Sequence, residues 1–258
     1  MEKYNKLLKY LTSLKEVAVA FSGGVDSTFV LHASKEALGE KVMAIMVIAP
    51  YTPKWEVEEG KEILEEMGIK HIFIEVPMLE DIRFSPKDRC YICKKAVFSN
   101  IQRVAKEHGI QYVLDGTNFD DTKDYRPGLR ALKELNIKSP LLECEIGKAE
   151  IRSLSKVFGL KTHNKPAYAC LLSRIPYDQE VKFEDLERIE KSEVYLMNLG
   201  FIGVRVRSHM DLARIEFSKE DLEKMDMELM TKISRELKSY GYKYVTLDME
   251  GYKMGSLN

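Results

Sequence analysis

The sequence predicts an α/β fold, a doubly wound parallel sheet followed by a smaller C-terminal α+β domain. Three features lead to it. Short apolar runs alternate with amphipathic stretches of helical length, a glycine-serine turn joins the first run to the first long helix, and the texture changes between Pro166 and Tyr177.

In order, "EVAVAF" is a buried strand, and "STFVLHASKEALG" after it has helical spacing with Gly39 placed as a C-cap. "KVMAIMVIAP" reads as a second strand, "KWEVEEGKEILEEMGI" as a helix closed by Gly68, and "KHIFIEVP" as a third strand. A helix from about Lys94 to His108 leads through Gly109 into the strand "QYVLDGTN"; "KSPLLE" and "KAEIRSLSKVFGL" then repeat the strand and helix order. Pro166 and Pro176 bracket "AYACLLSRI", which sets the expected domains at 1–175 and 176–258. The second should run helix ("FEDLERIEKSEVYLMNLG"), strands "VRVRS" and "LARIEFS", one helix from Lys219 to Gly241, and the strand "YKYVTLDM", with an antiparallel sheet.

Composition excludes several classes. With 258 residues, 45% of them hydrophobic, the chain can bury a core that folds unaided. Its longest apolar run, Val42 to Pro50, is far short of the roughly 20 residues that cross a bilayer, and the first ten residues lack a signal-peptide core, so no membrane partner and a cytoplasmic location are expected. Forty Lys and Arg against 41 Asp and Glu leave a net charge of −1, without the basic excess that favours nucleic acid as a partner. Lys/Glu-rich stretches read as solvated helix faces, and the five histidines stand apart from one another and from the cysteines.

"FSGGVDST", Phe21 to Thr28, lies where the first strand meets its helix. Gly23 and Gly24 let backbone approach an anion, the helix N-terminus offers free N–H groups and a positive dipole end, and Ser22 and Ser27 add hydroxyls. This is a phosphate cradle that lacks both the GK[ST] of the P-loop and the G-x-G-x-x-G of the dinucleotide fold. The bland alternative is a glycine-rich turn with Asp26 or Ser27 as a helix cap.

Four cysteines in a reducing compartment are thiols, metal ligands or nucleophiles rather than a disulfide framework. Cys90 and Cys93, in "DRCYICKK" just before the expected helix, can converge on one point, where the helix N-terminus favours their thiolates. A redox pair, half of a metal site, or no role at all all fit a lone C-x-x-C. Cys144, after an apolar run, reads as a packed bystander. Arg205 and Arg207 alternate on a strand, so both face one side and can grip a phosphate, although a plain solvent face is the simpler account.

"SGGVDS" after an apolar strand, with "DGTN" at 115 to 118, resembles the PP-loop family of ATP pyrophosphatases, which split ATP into AMP and pyrophosphate while adenylating a substrate. The resemblance implies a parallel sheet of order 3-2-1-4-5 with ATP at the carboxyl rim. Ser22, Gly23, Gly24, Asp26 and Ser27 would hold the pyrophosphate end, Asp115, Gly116, Thr117 and Asn118 would lie on the same rim, and Mg2+ would bridge the phosphates. "NKPAYACLLSRIPYD", "VRVRSHMDLARIE" and "GYKMGSLN" resemble the LarE-type ATP-dependent sulfur transferases over nearly the whole chain.

That resemblance implies adenylation of a carboxylate on a nicotinate-derived pyridinium mononucleotide, followed by attack of sulfur to give a thiocarboxylate for a nickel-pincer nucleotide. The thiolate of Cys170 would attack the acyl adenylate. In single-cysteine relatives that residue gives up its own sulfur; here Cys90, Cys93 and Cys170 would instead hold three corners of a [4Fe-4S] cluster, with an open iron for extra sulfide. Zinc on the same three thiolates is the lesser contender. Arg205 and Arg207 would take the substrate's phosphate near a subunit interface of a homo-oligomer, with Glu216 in the same motif; Arg174 and the cluster Asp120, Asp121 and Asp124 are weaker candidates. A sulfide donor is an implied partner. The competing readings are a tRNA thiolase, a PP-loop amide synthetase, and a non-catalytic ATP-binding sensor.

Overall fold

The computed structural model describes residues 1–123 and 128–253. The chain forms two compact units, Met1–Leu79 with Asp88–Lys165, and Glu80–Lys87 with Pro166–Asn258.

The first unit runs α1 (Glu2–Leu14), β1 (Val17–Ala20), α2 (Val25–Leu38), β2 (Val42–Ile48), α3 (Lys54–Met67), β3 (Lys70–Glu75), α4 (Arg89–Glu107), β4 (Tyr112–Leu114), α5 (Gly128–Glu134), α6 (Pro140–Glu143) and α7 (Lys148–Val157). The four strands form a parallel sheet of order β3-β2-β1-β4. Alternation along β1 builds two cores: Val17 and Val19 face α1, α2, α3 and α7, while Ala18 faces α4 and α5. Helices on both faces make the sheet doubly wound, as the long apolar runs require. Helices α2 and α3 end on Gly39 and Gly68, both at positive φ.

The expected fifth strand shrinks to one bridge, Leu114 to Lys138, before the chain turns into α6. Pro140 explains this, since it has no N–H for a ladder and suits the first turn of a helix. The C-x-x-C helix also starts earlier than expected, at Arg89, so both cysteines lie within it rather than before it.

The second unit contains α8 (Phe183–Asn198), β5 (Arg205–His209), β6 (Leu212–Glu216), α9 (Lys219–Leu222), α10 (Met227–Ser239) and β7 (Tyr244–Leu247). Its sheet is mixed, not antiparallel: β5 and β6 form a hairpin, but β7 runs parallel to β6. A parallel pair needs a crossover, and α9 and α10 supply it. The single helix expected over 219–241 is two, divided where the Asp226 carboxylate caps α10 by accepting from Leu229 N at 2.8 Å. Leu196, Phe201, Val206, Ile215, Phe217, Ile233 and Leu237 form its core. Among the described residues no helix is long and apolar enough to cross a membrane.

Candidate functional site

In the first unit, strand order reverses at β1, with β2 on one side and β4 on the other, and this is where such sheets open a crevice at their carboxyl ends. The turn from β1 into α2 fills it. Gly23 has φ +69°, a left-handed conformation that side chains resist, and Gly24 is the N-cap of α2. Ser22 and Ser27 brace the turn, their hydroxyls 3.1 Å apart, and Ser27 Oγ donates to Gly24 O at 3.2 Å. Thr28 Oγ1 donates to the same carbonyl at 2.8 Å. The first amides of α2 have no partner within the helix and point at the turn, which suits an anion.

Asp26, in the first turn of α2, pairs through Oδ2 with Lys148 Nζ, while its buried Oδ1 has no hydrogen-bond partner among the described residues. Burial pushes its carboxyl above the ordinary value, against the opposing pull of Lys148. The loop after β4 crosses very close: a Cβ on Gly116 would lie 3.0 Å from Ser27 N and 3.2 Å from the carbonyl carbon of Asp26, so a larger residue would force that backbone to shift. Its neighbours shape the loop. Asp115 accepts from Thr117 Oγ1 and from Ser139 Oγ at 2.6 Å, with Lys94 Nζ 4.0 Å away. Asn118 Oδ1 accepts from Asp120 N at 2.9 Å, and Asn118 N donates to Asp121 Oδ2 at 3.1 Å. Asp120 also accepts from Lys148 N at 2.8 Å, at the head of α7. The acidic cluster therefore shapes the loop through Asp120 and Asp121; Asp124 lies outside the described residues.

Cys90 is exposed on α4, and the half-buried Cys93 thiol sits 3.1 Å from Tyr51 Oη. Burial raises the Cys93 thiol above its ordinary value, Tyr51 opposes that, and Cys90 adds to it. Cys144 is packed in the core, as its setting suggested. None of the four is in a disulfide. Among the described residues, no three His, Cys, Asp or Glu side chains stand grouped to hold a metal ion. Cys170 belongs to the second unit, where it precedes the short turn Leu171–Arg174.

In that unit Arg174 is fully buried and paired with Glu193 through two 2.8 Å hydrogen bonds, and it donates to the carbonyls of Ala169 at 2.6 Å and Cys170 at 3.2 Å. Arg207 is likewise committed, to Glu216 at 3.0 and 2.8 Å and to Ser173 O at 2.6 Å. Arg214 shares Glu216 at 3.0 Å. Arg205 differs. Its guanidinium donates only to carbonyls among the described residues, Gly203 at 3.1 Å, Val204 at 3.0 Å and Ala167 at 2.6 Å, and lies 5.1 Å from the rings of both Tyr168 and Tyr252. Burial, and then Arg174, lower its pKa, against the opposing pull of Glu193 and the two tyrosines. Of the expected arginine pair, Arg207 is engaged by a carboxylate, whereas Arg205, equally buried, meets carbonyl oxygens and two aromatic rings. The C-terminal motif is described only as far as Lys253.

Residues 4–139 match the family model described as NAD synthase. The chain is 35% identical over 98% of its length, and 92% of the relative's, to the pyridinium-3,5-bisthiocarboxylic acid mononucleotide synthase of Lactiplantibacillus plantarum. The chain belongs to the LarE-type family of PP-loop enzymes. It is also 38% identical to an uncharacterized Synechocystis protein, over 99% of this chain and 97% of that one. A tRNA-specific 2-thiouridylase of Clostridium tetani is 28% identical, over 58% of this chain and 52% of its own.

Measured against the LarE-type motifs, the sequence reading missed Lys148, Lys165, Arg152 and Glu193, all of which hold motif residues in place. Lys148 had a local signal, a lysine directly after the glycine that opens a helix in "IGKAE". Lys165 lies inside the motif "NKPAYACLLSRIPYD", but nothing local ties it to the phosphate turn, and Glu193 had no local signal, because their partners lie far away in sequence.

Proposed function

We propose that this enzyme uses ATP to adenylate a carboxylate of a pyridinium mononucleotide and replaces one of its oxygens with sulfur. The main support is the 35% identity across 98% of the chain, which takes in both the phosphate turn and the Cys170 motif. A carboxylate oxygen attacks the α-phosphorus of ATP and pyrophosphate leaves. A sulfur nucleophile then attacks the acyl carbon, and AMP departs with the oxygen.

Ser22, Gly23, Gly24 and Ser27 would cradle the leaving pyrophosphate, with Mg2+ sharing its charge and Asp26, whose Oδ1 has no partner among the described residues, a candidate to hold that ion. Gly116, Thr117 and Asn118 would border the nucleotide. Arg205 would take the substrate's phosphate, with Arg207 oriented beside it by Glu216. Cys170 would either attack the acyl adenylate through its own thiolate or, with Cys90 and Cys93, hold a cluster that brings the sulfur.

The thiols fit a [4Fe-4S] cluster in part: Cys90 and Cys93 are one helical turn apart and free of disulfides, and Cys170 would be the third ligand. Such a cluster would supply sulfide, sparing the protein its own sulfur atom. The reading also expects a cytoplasmic homo-oligomer fed by a sulfide donor.

Pyrophosphate release measured with and without a pyridinium dicarboxylate mononucleotide tests the reaction. Release that ignores the carboxylate defeats it, and release that responds to tRNA favours a tRNA thiolase instead. Cys93→Ala, purified without air, should lose bound iron and keep AMP formation; full iron content in that variant would remove the cluster from the account.

A further inference from the structure

Lys165 ends the first unit, and its side chain returns to the phosphate turn. Its Nζ donates to Gly23 O at 3.2 Å and to Glu59 Oε2 at 2.7 Å, and stands 5.3 Å from the centroid of the Trp55 ring. The main chain is held as well, since Arg152 of α7 donates to the carbonyls of Lys165 at 2.7 Å and His163 at 2.8 Å. The two members of the ion pair are unequal: the lysine side chain is 12% exposed and the glutamate 50%. Water screens a carboxylate so placed, so it compensates weakly for taking an ammonium out of solvent. The cation is fixed beside the glycine turn, and its partner is not.

We propose that Lys165 is a ligand of the nucleotide's terminal phosphates, and that Glu59 occupies its ammonium until a phosphate displaces it. This rests on the ATP-binding reading above and adds a residue to it. A phosphate seated on the amides of the turn would share Gly23 with the lysine. An ammonium has three donors in a compact charge, so it can keep Gly23 O and exchange Glu59 for a phosphate oxygen. The released carboxylate returns to solvent at little cost because it is already half there.

Titration calorimetry on the full chain, with MgATP, inorganic pyrophosphate and AMP as probes, tests this, and emission from Trp55, the single tryptophan, reports events at the lysine. Lys165→Met should weaken ATP and pyrophosphate by about tenfold or more and leave AMP unchanged, as expected for a lost hydrogen bond between charged groups. Glu59→Gln should act in the opposite direction and tighten both. A purely structural ion pair would make the two substitutions act alike, so weakening by Glu59→Gln overturns the proposal, as does unchanged pyrophosphate affinity in Lys165→Met. If Lys165→Met fails to fold, the sign of the Glu59→Gln effect decides. A wild-type chain that binds none of the probes overturns the ATP reading itself, and this proposal with it.

Discussion

Lys148 and Lys165 of the first unit hold carboxylates whose side chains are 23% and 50% exposed, whereas Arg174 and Arg207 of the second hold carboxylates at 4% and 0%. Both units gather positive charge beside the motifs that mark the family, but with opposite permanence. Around the phosphate turn the cations are lysines, and Glu59, the partner of Lys165, lies near water, where exchange for another anion is cheap. Around Cys170, planar guanidinium groups are locked two-toothed onto buried carboxylates, whereas Arg205 has carbonyl oxygens and two tyrosine rings as its neighbours among the described residues. A cluster of arginines near a motif is therefore not a count of ligand-binding groups. Most of these hold the scaffold.

Substitutions at three places can break or sharpen that contrast. The largest effect is expected from Glu193→Ala, which strands Arg174 in the interior and should cost about 3–5 kcal/mol in urea unfolding. Replacing both partners, Arg174→Met with Glu193→Leu, should recover much of that loss, since the buried charges go together. A single-variant cost under about 1 kcal/mol would show that the second unit's pairs are as exchangeable as the first's.

Gly116→Ala comes next. Its Cβ would press on the backbone of Asp26 and Ser27, not on a side chain that could swing away, so a loss of about 1–3 kcal/mol is expected together with loss of AMP formation. Unchanged AMP formation would mean that the loop after β4 does not position the turn.

The smallest effect on stability belongs to Asp26→Asn. Burial lifts this carboxyl above 3.8, so the folded chain holds the proton more tightly than the unfolded one. Its stabilising contribution is full below pH 3.8 and fades as pH rises through the raised folded value. At neutral pH the amide should match or exceed the wild type by about 1 kcal/mol or less, while AMP formation is lost. Unfolding curves at pH 4 and pH 7 check the sign, and a marked loss of stability at pH 7 would mean that the Lys148 pair outweighs desolvation.

What the chain revealed in advance follows from the range of the interactions involved. The parallel sheet and the phosphate turn were legible because their signals are local: apolar runs, glycines at the turn, and caps at Gly39 and Gly68. The strand expected at "KSPLLE" failed because Pro140 overrides apolar content, a local rule that should have taken precedence. The direction of β7 could not be read from its own residues, since orientation depends on the crossover that α9 and α10 make. Strand alternation put Arg205 and Arg207 on one face, yet it was blind to Glu216 occupying one of them. Glu193 and Lys165 act across 19 and 142 positions of sequence, beyond the reach of any periodicity.

The way residue 170 is anchored bears on how long one molecule can serve. Its carbonyl oxygen accepts from Ser173 N at 3.0 Å, Ser173 Oγ at 2.9 Å and Arg174 Nη1 at 3.2 Å, and Arg174 is itself fixed by Glu193. Those bonds attach to the main chain and are indifferent to what hangs from its α-carbon. With sulfide brought by a cluster, as proposed above, nothing that anchors residue 170 is consumed, so one copy could turn over repeatedly on an unchanged peptide path.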